Sequence, residues 1–325
     1  MRAIVYFHYG PPEVLQLAEL PKPVAKEDEV LIRVHAVEAT KADCEMRAFK
    51  FAVRWIWLPM RLALGIRRPR KPVLGGYFSG VVESVGARVS RFKPGDTLFG
   101  SAGMRFGAYC DYICLPQHAT LAPKPDTLDF EQAAAVPLGA LNALHFLRKA
   151  NIQPGERVLI NGAGGSIGTF AVQIARSMGA EVHAVDSPLK AGMLHALGVS
   201  RFFDYTKEDF TQNPQKYDVI FNMVARYPYG KAIAALKPGG RYLMGNPPLL
   251  SMLRAMLTPL FSDKNAYFAF AGETEEELLT LKRMIEAGQM TPVMDGVFPP
   301  EDAAEAHRRV ENEERLGAVV IRMGD

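Results

Sequence analysis

Residues 158–168, VLINGAGGSIG, run from an apolar strand-like segment through a glycine-dense turn into the helical pattern TFAVQIARSMG. Glycine lets a backbone turn tightly and lets a ligand come close to it. The first N–H groups of a helix have no intrahelical partner, and together with the helix dipole they favour negative charge. Apolar Phe170, Val172, Ile174 and Met178 suit a buried helix, and the next strand candidate, AEVHAVD, closes on Asp186. Strand, glycine turn, helix, strand and terminal acid, in that order, form the setting in which a G-x-G-x-x-G segment holds a dinucleotide. The candidate contacts are Ala163, Gly164, Gly165, Ser166, Ile167 and Gly168, with Asp186 at the ribose.

The surrounding texture divides the chain. Up to about residue 125 it is β-rich, with AIVYF, EVLIRVHAVEA, FSGVVESVG, TLFG and AYCDYICLP as apolar or alternating runs and FKPGD as a turn. From Leu128, FEQAAAVPLGALNALHFLRKA predicts helices around Pro137, and the short strands ERVLING, AEVHAVD, RFFDY, YDVIFNM and GRYLMGN alternate with helical stretches, which predicts a parallel sheet. TEEELLTLKRMIEAG then predicts a helix capped by Thr274 and Glu277 and stopped by Gly288, PEDAAEAHRRVENEE a second, and GAVVIRM a closing strand. A chain of 325 residues holds two domains of ordinary size.

A net charge of +3 gives no reason to expect nucleic acid as a partner. Three cysteines, Cys44, Cys110 and Cys114, without C-x-x-C spacing argue against a disulfide framework or a cysteine zinc site and suit a reducing compartment. MRAIVYF lacks the long apolar region of a signal peptide, so the expected location is the cytoplasm.

Several blocks carry a resemblance: RVHAVEATKADCEMR, RKPVLGGYFSGVVESVGARVSRFKPGDTLFG, AAAVPLGALNALHFLRKANIQPGERVLINGAGGSIGTFAVQIARSMGAEV, ALKPGGRYL and AAEAHRRVENEERLGAVVI. In this order they resemble the medium-chain dehydrogenase/reductase superfamily and, within it, the zinc-free quinone oxidoreductases. The resemblance implies an α/β fold: a GroES-like, β-rich catalytic domain from residues 1–125 and 272–325, with a Rossmann doubly wound parallel-sheet domain, 126–271, inserted. It also implies an active site in the cleft between them and a homodimer.

Metal-dependent dehydrogenases of this superfamily hold a catalytic zinc with a Cys, a Gly-His-Glu segment and a later Cys or Asp. Here the first position matches Thr40, and the segment reads Gly75-Gly76-Tyr77. The ligand set is absent, although Cys44 nearby leaves a rearranged site conceivable. Without a Lewis acid, the expected hydride acceptors are quinones and activated enones. The candidates beside the acceptor are Thr40, Asp43 and Tyr77, with Tyr77 either a hydrogen-bond donor to a carbonyl oxygen or an aromatic filling the vacated metal position.

The resemblance matches Ser187, Lys190 and Tyr205 to positions that hold the 2′-phosphate of NADPH, whereas an acid such as Asp186 commonly binds the ribose hydroxyl of NADH. NADPH is the expected cofactor, NADH the alternative. Lys190 could equally be a solvated helix lysine, and Tyr205 a turn residue packing its ring. Asn142 falls near the expected nicotinamide ribose, and His145 reads as a core histidine.

Residues 51–71, FAVRWIWLPMRLALGIRRPRK, are apolar and basic, with no acid between Met46 and Val82. Interspersed arginines and Pro59 argue against a membrane-spanning helix. A lid over a hydrophobic substrate ranks first, a core or dimer contact second, and docking on an anionic membrane surface last. The expected function is zinc-independent hydride transfer from NADPH to a quinone or α,β-unsaturated carbonyl. Its rivals are a nicotinamide-binding sensor or membrane-surface protein with little turnover, and an NAD-dependent alcohol dehydrogenase with a rearranged zinc.

Overall fold

A computed structural model describes residues 1–269 and 272–324. The chain forms two compact units, one of Met1–Phe51, Leu58–Leu141 and Glu273–Asp325, the other of Ala52–Trp57 and Asn142–Gly272.

The first unit opens with β1 (Arg2–Val5), which pairs antiparallel with β2 (Gln16–Glu19). The long β3 (Glu29–Ala39) leads into α1 (Lys41–Ala48) and α2 (Trp57–Leu64), followed by β4 (Tyr77–Val85), β5 (Thr97–Ser101), β6 (Tyr112–Pro116) and β7 (Leu121–Pro123). Short α3 (Phe130–Ala134) precedes α4 (Pro137–Ala150), which runs on into the second unit.

The second unit alternates β8 (Arg157–Asn161), α5 (Ser166–Ser177), β9 (Glu181–Asp186), α6 (Ala191–Ala196), β10 (Arg201–Asp204), β11 (Tyr217–Asn222), α7 (Tyr229–Ala234), β12 (Leu236–Met244), α8 (Leu249–Phe261) and β13 (Asn265–Phe268). The chain then returns to the first unit with α9 (Glu275–Glu286), β14 (Met294–Phe298), α10 (Ala303–Glu311) and β15 (Ala318–Arg322).

The seven-stranded sheet of the first unit has the order β14-β15-β3-β4-β5-β7, with β6 also on β3. Because β15 lies antiparallel to β3, the two ends of the chain share one sheet. Val30, Ile32 and Val34 of β3 are buried in one core cluster with Phe78, Leu98, Val319 and Ile321, so the alternation of EVLIRVHAVEA does specify the buried face. This is the GroES-like part of the fold.

The sheet of the second unit is parallel throughout, in the order β10-β9-β8-β11-β12-β13. Helices follow β8, β9, β11 and β12, the usual connection between parallel strands, and the strand order reverses between β8 and β11. That reversal makes the Rossmann switch point, outside the carboxyl ends of the strands. Val158, Leu159 and Ile160 of β8 are wholly buried, which is why VLI reads as continuous rather than alternating. On α5, Phe170, Val172 and Ile174 are buried as the pattern predicts, but Met178 caps the helix and is only partly buried.

α8 turns its apolar stripe outward: Leu249, Leu250, Leu253, Met256, Leu257, Leu260 and Phe261 share one face and are all exposed, and only Ala255 is buried.

Candidate functional site

At the switch point of the second unit the glycine turn sits at the end of β8. Gly162 takes φ +88°, a left-handed value that disfavours side chains. The Gly162 and Ala163 N–H groups donate to the Val185 carbonyl at 3.0 and 3.2 Å, which ties the turn to β9. Gly165 caps α5 in extended conformation without a side-chain bond, so the first N–H groups of the helix are left for a ligand. A Cβ on Gly168 would lie 2.4 Å from the carbonyl oxygens of Gly162 and Ala163, so helix and turn touch through backbone there.

Asp186 ends β9 beside this turn. Its Oδ2 accepts the Gly164 N–H at 2.7 Å and its Oδ1 the Ser187 N–H at 2.8 Å. Lys190 Nζ lies 3.1 Å from Asp186 Oδ1, and both side chains are nearly buried. Lys190 is therefore not a solvated helix lysine. Its aliphatic stem covers Gly164, where a Cβ would meet Lys190 Cδ at 2.2 Å. Tyr205 follows β10, its N–H 3.4 Å from the Asp186 carbonyl and its side chain 62% exposed, so the ring packs little against the protein. Loop, Asp186, Ser187, Lys190 and Tyr205 thus gather at one end of the sheet.

The residues suit a dinucleotide. Ser166, at the first position of α5, is buried, and its Oγ has no hydrogen-bond partner among the described residues. A buried hydroxyl without a partner is costly, and at a helix N-terminus a phosphate oxygen is the group that would satisfy it. Residues the sequence reading passed over complete this end of the sheet. Asn161 Nδ2 donates to Asn222 Oδ1 at 2.8 Å across the switch point, and Asn222 Oδ1 also accepts the Val224 N–H at 3.2 Å. The available signal was that β8 and β11 both close on asparagine after an apolar run. Asn142 and His145 lie partly buried on α4, the His145 ring edge-on to Phe146.

In the first unit, Thr40 caps α1. Its Oγ1 accepts the Asp43 N–H at 3.1 Å and donates to Asp43 Oδ2 at 2.6 Å, while the Thr40 N–H donates to the same oxygen at 3.1 Å. Asp43 Oδ1 accepts the Gly75 N–H at 3.0 Å. This carboxylate is wholly buried: burial pushes its pKa above the ordinary value, and the hydrogen bonds from Thr40 and Gly75 pull it back. What Asp43 does is hold the start of α1 against the segment leading into β4. Tyr77 begins β4, and its hydroxyl donates to Glu273 Oε1 at 2.6 Å. Glu273 Oε2 accepts the Ser101 hydroxyl at 2.5 Å, and its carbonyl accepts Thr120 Oγ1 at 2.8 Å. The Tyr77 proton is thereby committed to a carboxylate that sequence reasoning did not find. Burial, then the charge of Glu273, raises the Tyr77 pKa, so the phenol stays protonated.

These groups do not fit a zinc ion. Thr40, Gly76 and Tyr77 occupy the matched positions, and among the described residues no three His, Cys, Asp or Glu side chains come together as a metal would need. Cys44 is occupied otherwise: its Sγ lies 3.4 Å from His307 Nδ1, and burial drives its thiol pKa up. His307 is also 3.3 Å from Arg47 Nη1 and 2.9 Å from the Tyr109 hydroxyl. Arg47 can only donate, so Nδ1 accepts and Nε2 carries the proton.

Sequence comparison agrees with this anatomy. The profile of the alcohol dehydrogenase GroES-like domain matches residues 26–126, and that of the zinc-binding dehydrogenase family matches residues 197–321. The chain is 31% identical over 335 residues to an NADPH-dependent alkenal/one oxidoreductase, chloroplastic, of Arabidopsis thaliana, covering 99% of this chain and 79% of that protein. It is 29% identical over 328 residues to the quinone oxidoreductase of Homo sapiens, covering 95% and 94%. The solved quinone oxidoreductase of Coxiella burnetii superposes with a TM-score of 0.88 at 27% identity, covering 100% of this chain and 99% of that one. With its GroES-like unit, its parallel nucleotide-binding sheet and these relatives, the chain belongs to the medium-chain dehydrogenase/reductase superfamily, as a quinone oxidoreductase-like member.

Proposed function

We propose that the protein is a zinc-independent oxidoreductase that passes hydride from NADPH to a quinone or an α,β-unsaturated carbonyl. The observation that carries this reading is the glycine turn with the buried Ser166 hydroxyl, without a partner among the described residues, at a helix start, in a fold whose matched metal positions are Thr40, Gly76 and Tyr77. The names of the relatives, an alkenal/one oxidoreductase and a quinone oxidoreductase, support the acceptor class.

When bound, the nicotinamide supplies the hydride; the chain binds, orients and excludes water. The N-terminal N–H groups of α5, with the Ser166 hydroxyl, would hold the pyrophosphate. Ser187, Lys190 and Tyr205 would hold the adenosine 2′-phosphate, and Asn142 would lie near the nicotinamide ribose. Asp186 does not oppose the phosphate as an isolated acid would, because Lys190 balances its charge at 3.1 Å. Thr40 and Asp43, both buried, would position the segment that leads to Tyr77 rather than touch the acceptor, and Tyr77 would shape its side of the site. Since the Tyr77 proton is engaged by Glu273, the proton that balances reduction of the acceptor comes from water.

Two further parts of the reading are a cytoplasmic location and a homodimer. All three cysteines are outside disulfides, which suits a reducing compartment. Among the described residues, β13 forms an edge of the parallel sheet, and α8 beside it exposes Leu253, Met256, Leu260 and Phe261. An edge and an apolar face of this kind are what a second copy covers. Light scattering on the purified protein measures the assembly.

Steady-state oxidation of NADPH and NADH, side by side with a naphthoquinone and a simple enone, tests the activity. Faster turnover of NADPH is expected. Saturable cofactor binding with no consumption against either acceptor would replace this reading with that of a nicotinamide-binding sensor.

A further inference from the structure

The segment between α1 and β4 carries chemistry that hydride transfer leaves unused. Pro59 sits in the first turn of α2, where a missing N–H costs nothing, so the helix forms in spite of it. Of the α2 residues only Leu64 is buried. Trp57, Leu58 and Leu62 expose 46%, 61% and 58% of their surface, and Ile66, just beyond, exposes 64%. Leu58 and Leu62 are one helical turn apart and share a face. Single exposed apolar residues are ordinary on a protein surface, whereas four within ten residues make a patch. α2 gives Leu64 to the core and packs Met60 against it, but leaves Trp57, Leu58 and Leu62 outside.

The charge along this stretch of chain has one sign. Arg54, Arg67, Arg68, Arg70 and Lys71 are exposed, and no acid occurs between Met46 and Val82. The two other arginines of the stretch are turned inward, Arg47 pairing with Glu311 and Arg61 lying over the Phe49 ring at 3.7 Å. Lys71 Nζ donates to the Met104 and Arg105 carbonyls at 3.0 and 3.2 Å. That contact brings a further exposed apolar side chain, Met104 at 67%, into the neighbourhood, next to Arg105, which faces Glu29 at 3.8 Å. The approach to α2 is anchored, because Trp55 Nε1 donates to the Pro247 carbonyl at 3.4 Å.

We propose that α2 and its basic flanks dock on the surface of an anionic lipid bilayer. An apolar helix face seats at the boundary of headgroups and acyl chains, tryptophan prefers that depth, and surrounding cations meet lipid phosphates. An eight-residue helix is about 12 Å long, so it lies in the interface rather than crossing it. None of the described helices is long and apolar enough to cross a membrane. A second copy of the same face is the poorer occupant, since two all-cationic rims would meet and repel.

The test is flotation of the full-length protein with vesicles of phosphatidylcholine alone and of phosphatidylcholine with phosphatidylglycerol, at low and at physiological salt. Binding to the anionic vesicles only, weakening with salt, is expected. Arg67→Gln and Arg68→Gln should each weaken it roughly fivefold. Leu58→Ser with Leu62→Ser should also reduce it at an unchanged melting temperature, because both side chains are already exposed. Failure to float with anionic vesicles, or equal partition onto neutral ones, overturns the proposal. So does self-association that the leucine variant abolishes while no vesicle binding is seen, which would assign the face to a second copy.

Discussion

The Tyr77 hydroxyl and Glu273 Oε1 lie 2.6 Å apart although the two residues are 196 positions apart in sequence. Resemblance to metal-dependent dehydrogenases calls for a glutamate at position 77; here a phenol stands there, and a carboxylate arrives from the segment before α9. Since the hydroxyl has one proton and donates it in a hydrogen bond to Glu273, Tyr77→Phe should leave kcat with a naphthoquinone nearly unchanged. It should lower stability by about 1 to 2 kcal/mol, because Glu273 loses a charge-assisted donor. A loss of kcat of about a hundredfold or more, the scale of general-acid catalysis, at unchanged melting temperature would show that the hydroxyl turns to the substrate.

In the proposed reading, the Lys190–Asp186 pair, 3.1 Å apart, sets the charge at the cofactor's adenosine end. Lys190→Ala removes a cation from the 2′-phosphate and leaves Asp186 uncompensated, so the KM for NADPH should rise roughly tenfold or more, the value of a hydrogen bond to a charged group, while that for NADH changes little. Asp186→Asn should shift preference further towards NADPH. Equal effects of Lys190→Ala on both cofactors would mean that Lys190 supports Gly164 and does not meet the phosphate.

Legibility of the sequence followed the range of the interactions. The glycine turn could be read because its demands are local: positive φ at Gly162 and backbone contact at Gly168 leave few residue choices. Strands such as β3 and β8 were visible because burial imposes either alternation or a continuous apolar run. Glu273 was not, since nothing near it in sequence speaks of Tyr77, Ser101 or Thr120. α8 was also missed: Leu249, Leu253, Met256 and Leu260 do recur at helical spacing, but that stripe faces outward, so no core position calls for it. For Lys190 the sequence left open a phosphate ligand, by resemblance, or a solvated helix lysine; burial against Asp186 and Gly164 removes the second, and only the fold could supply those two neighbours.

His307 gives a pH dependence with a definite sign. Burial, then the neighbouring Arg47 charge, lowers its pKa from 6.5 to about 3. The unfolded chain therefore binds a proton that the folded one refuses. Its neutral burial costs nothing above pH 6.5, and stability falls as pH drops from 6.5 towards 3, by about 1.4 kcal/mol per unit. His307→Asn should be less stable at pH 7, having lost the contacts with Tyr109 and Arg47, yet should lose less than the parent protein between pH 7 and pH 5. Urea unfolding at the two pH values measures this, and parallel losses in both proteins would assign the acid sensitivity elsewhere.

Ser166 and Gly168 lie two positions apart on the same turn of α5, and substitution to alanine should move stability in opposite directions. The Ser166 hydroxyl is buried without a partner among the described residues, so Ser166→Ala removes an unsatisfied group and should raise the stability of the cofactor-free protein by about 1 kcal/mol. A Cβ at Gly168 would press on two carbonyl oxygens at 2.4 Å, and these belong to backbone held by β9. Gly168→Ala should therefore destabilise by about 1 to 3 kcal/mol, the ordinary cost of overpacking. Both should weaken NADPH binding, Ser166→Ala by roughly tenfold through a lost charge-assisted hydrogen bond, Gly168→Ala by displacing the turn. Melting curves with and without NADPH separate the two effects. If Ser166→Ala melts lower than the parent protein and binds NADPH as tightly, the hydroxyl serves the fold and the pyrophosphate lies elsewhere.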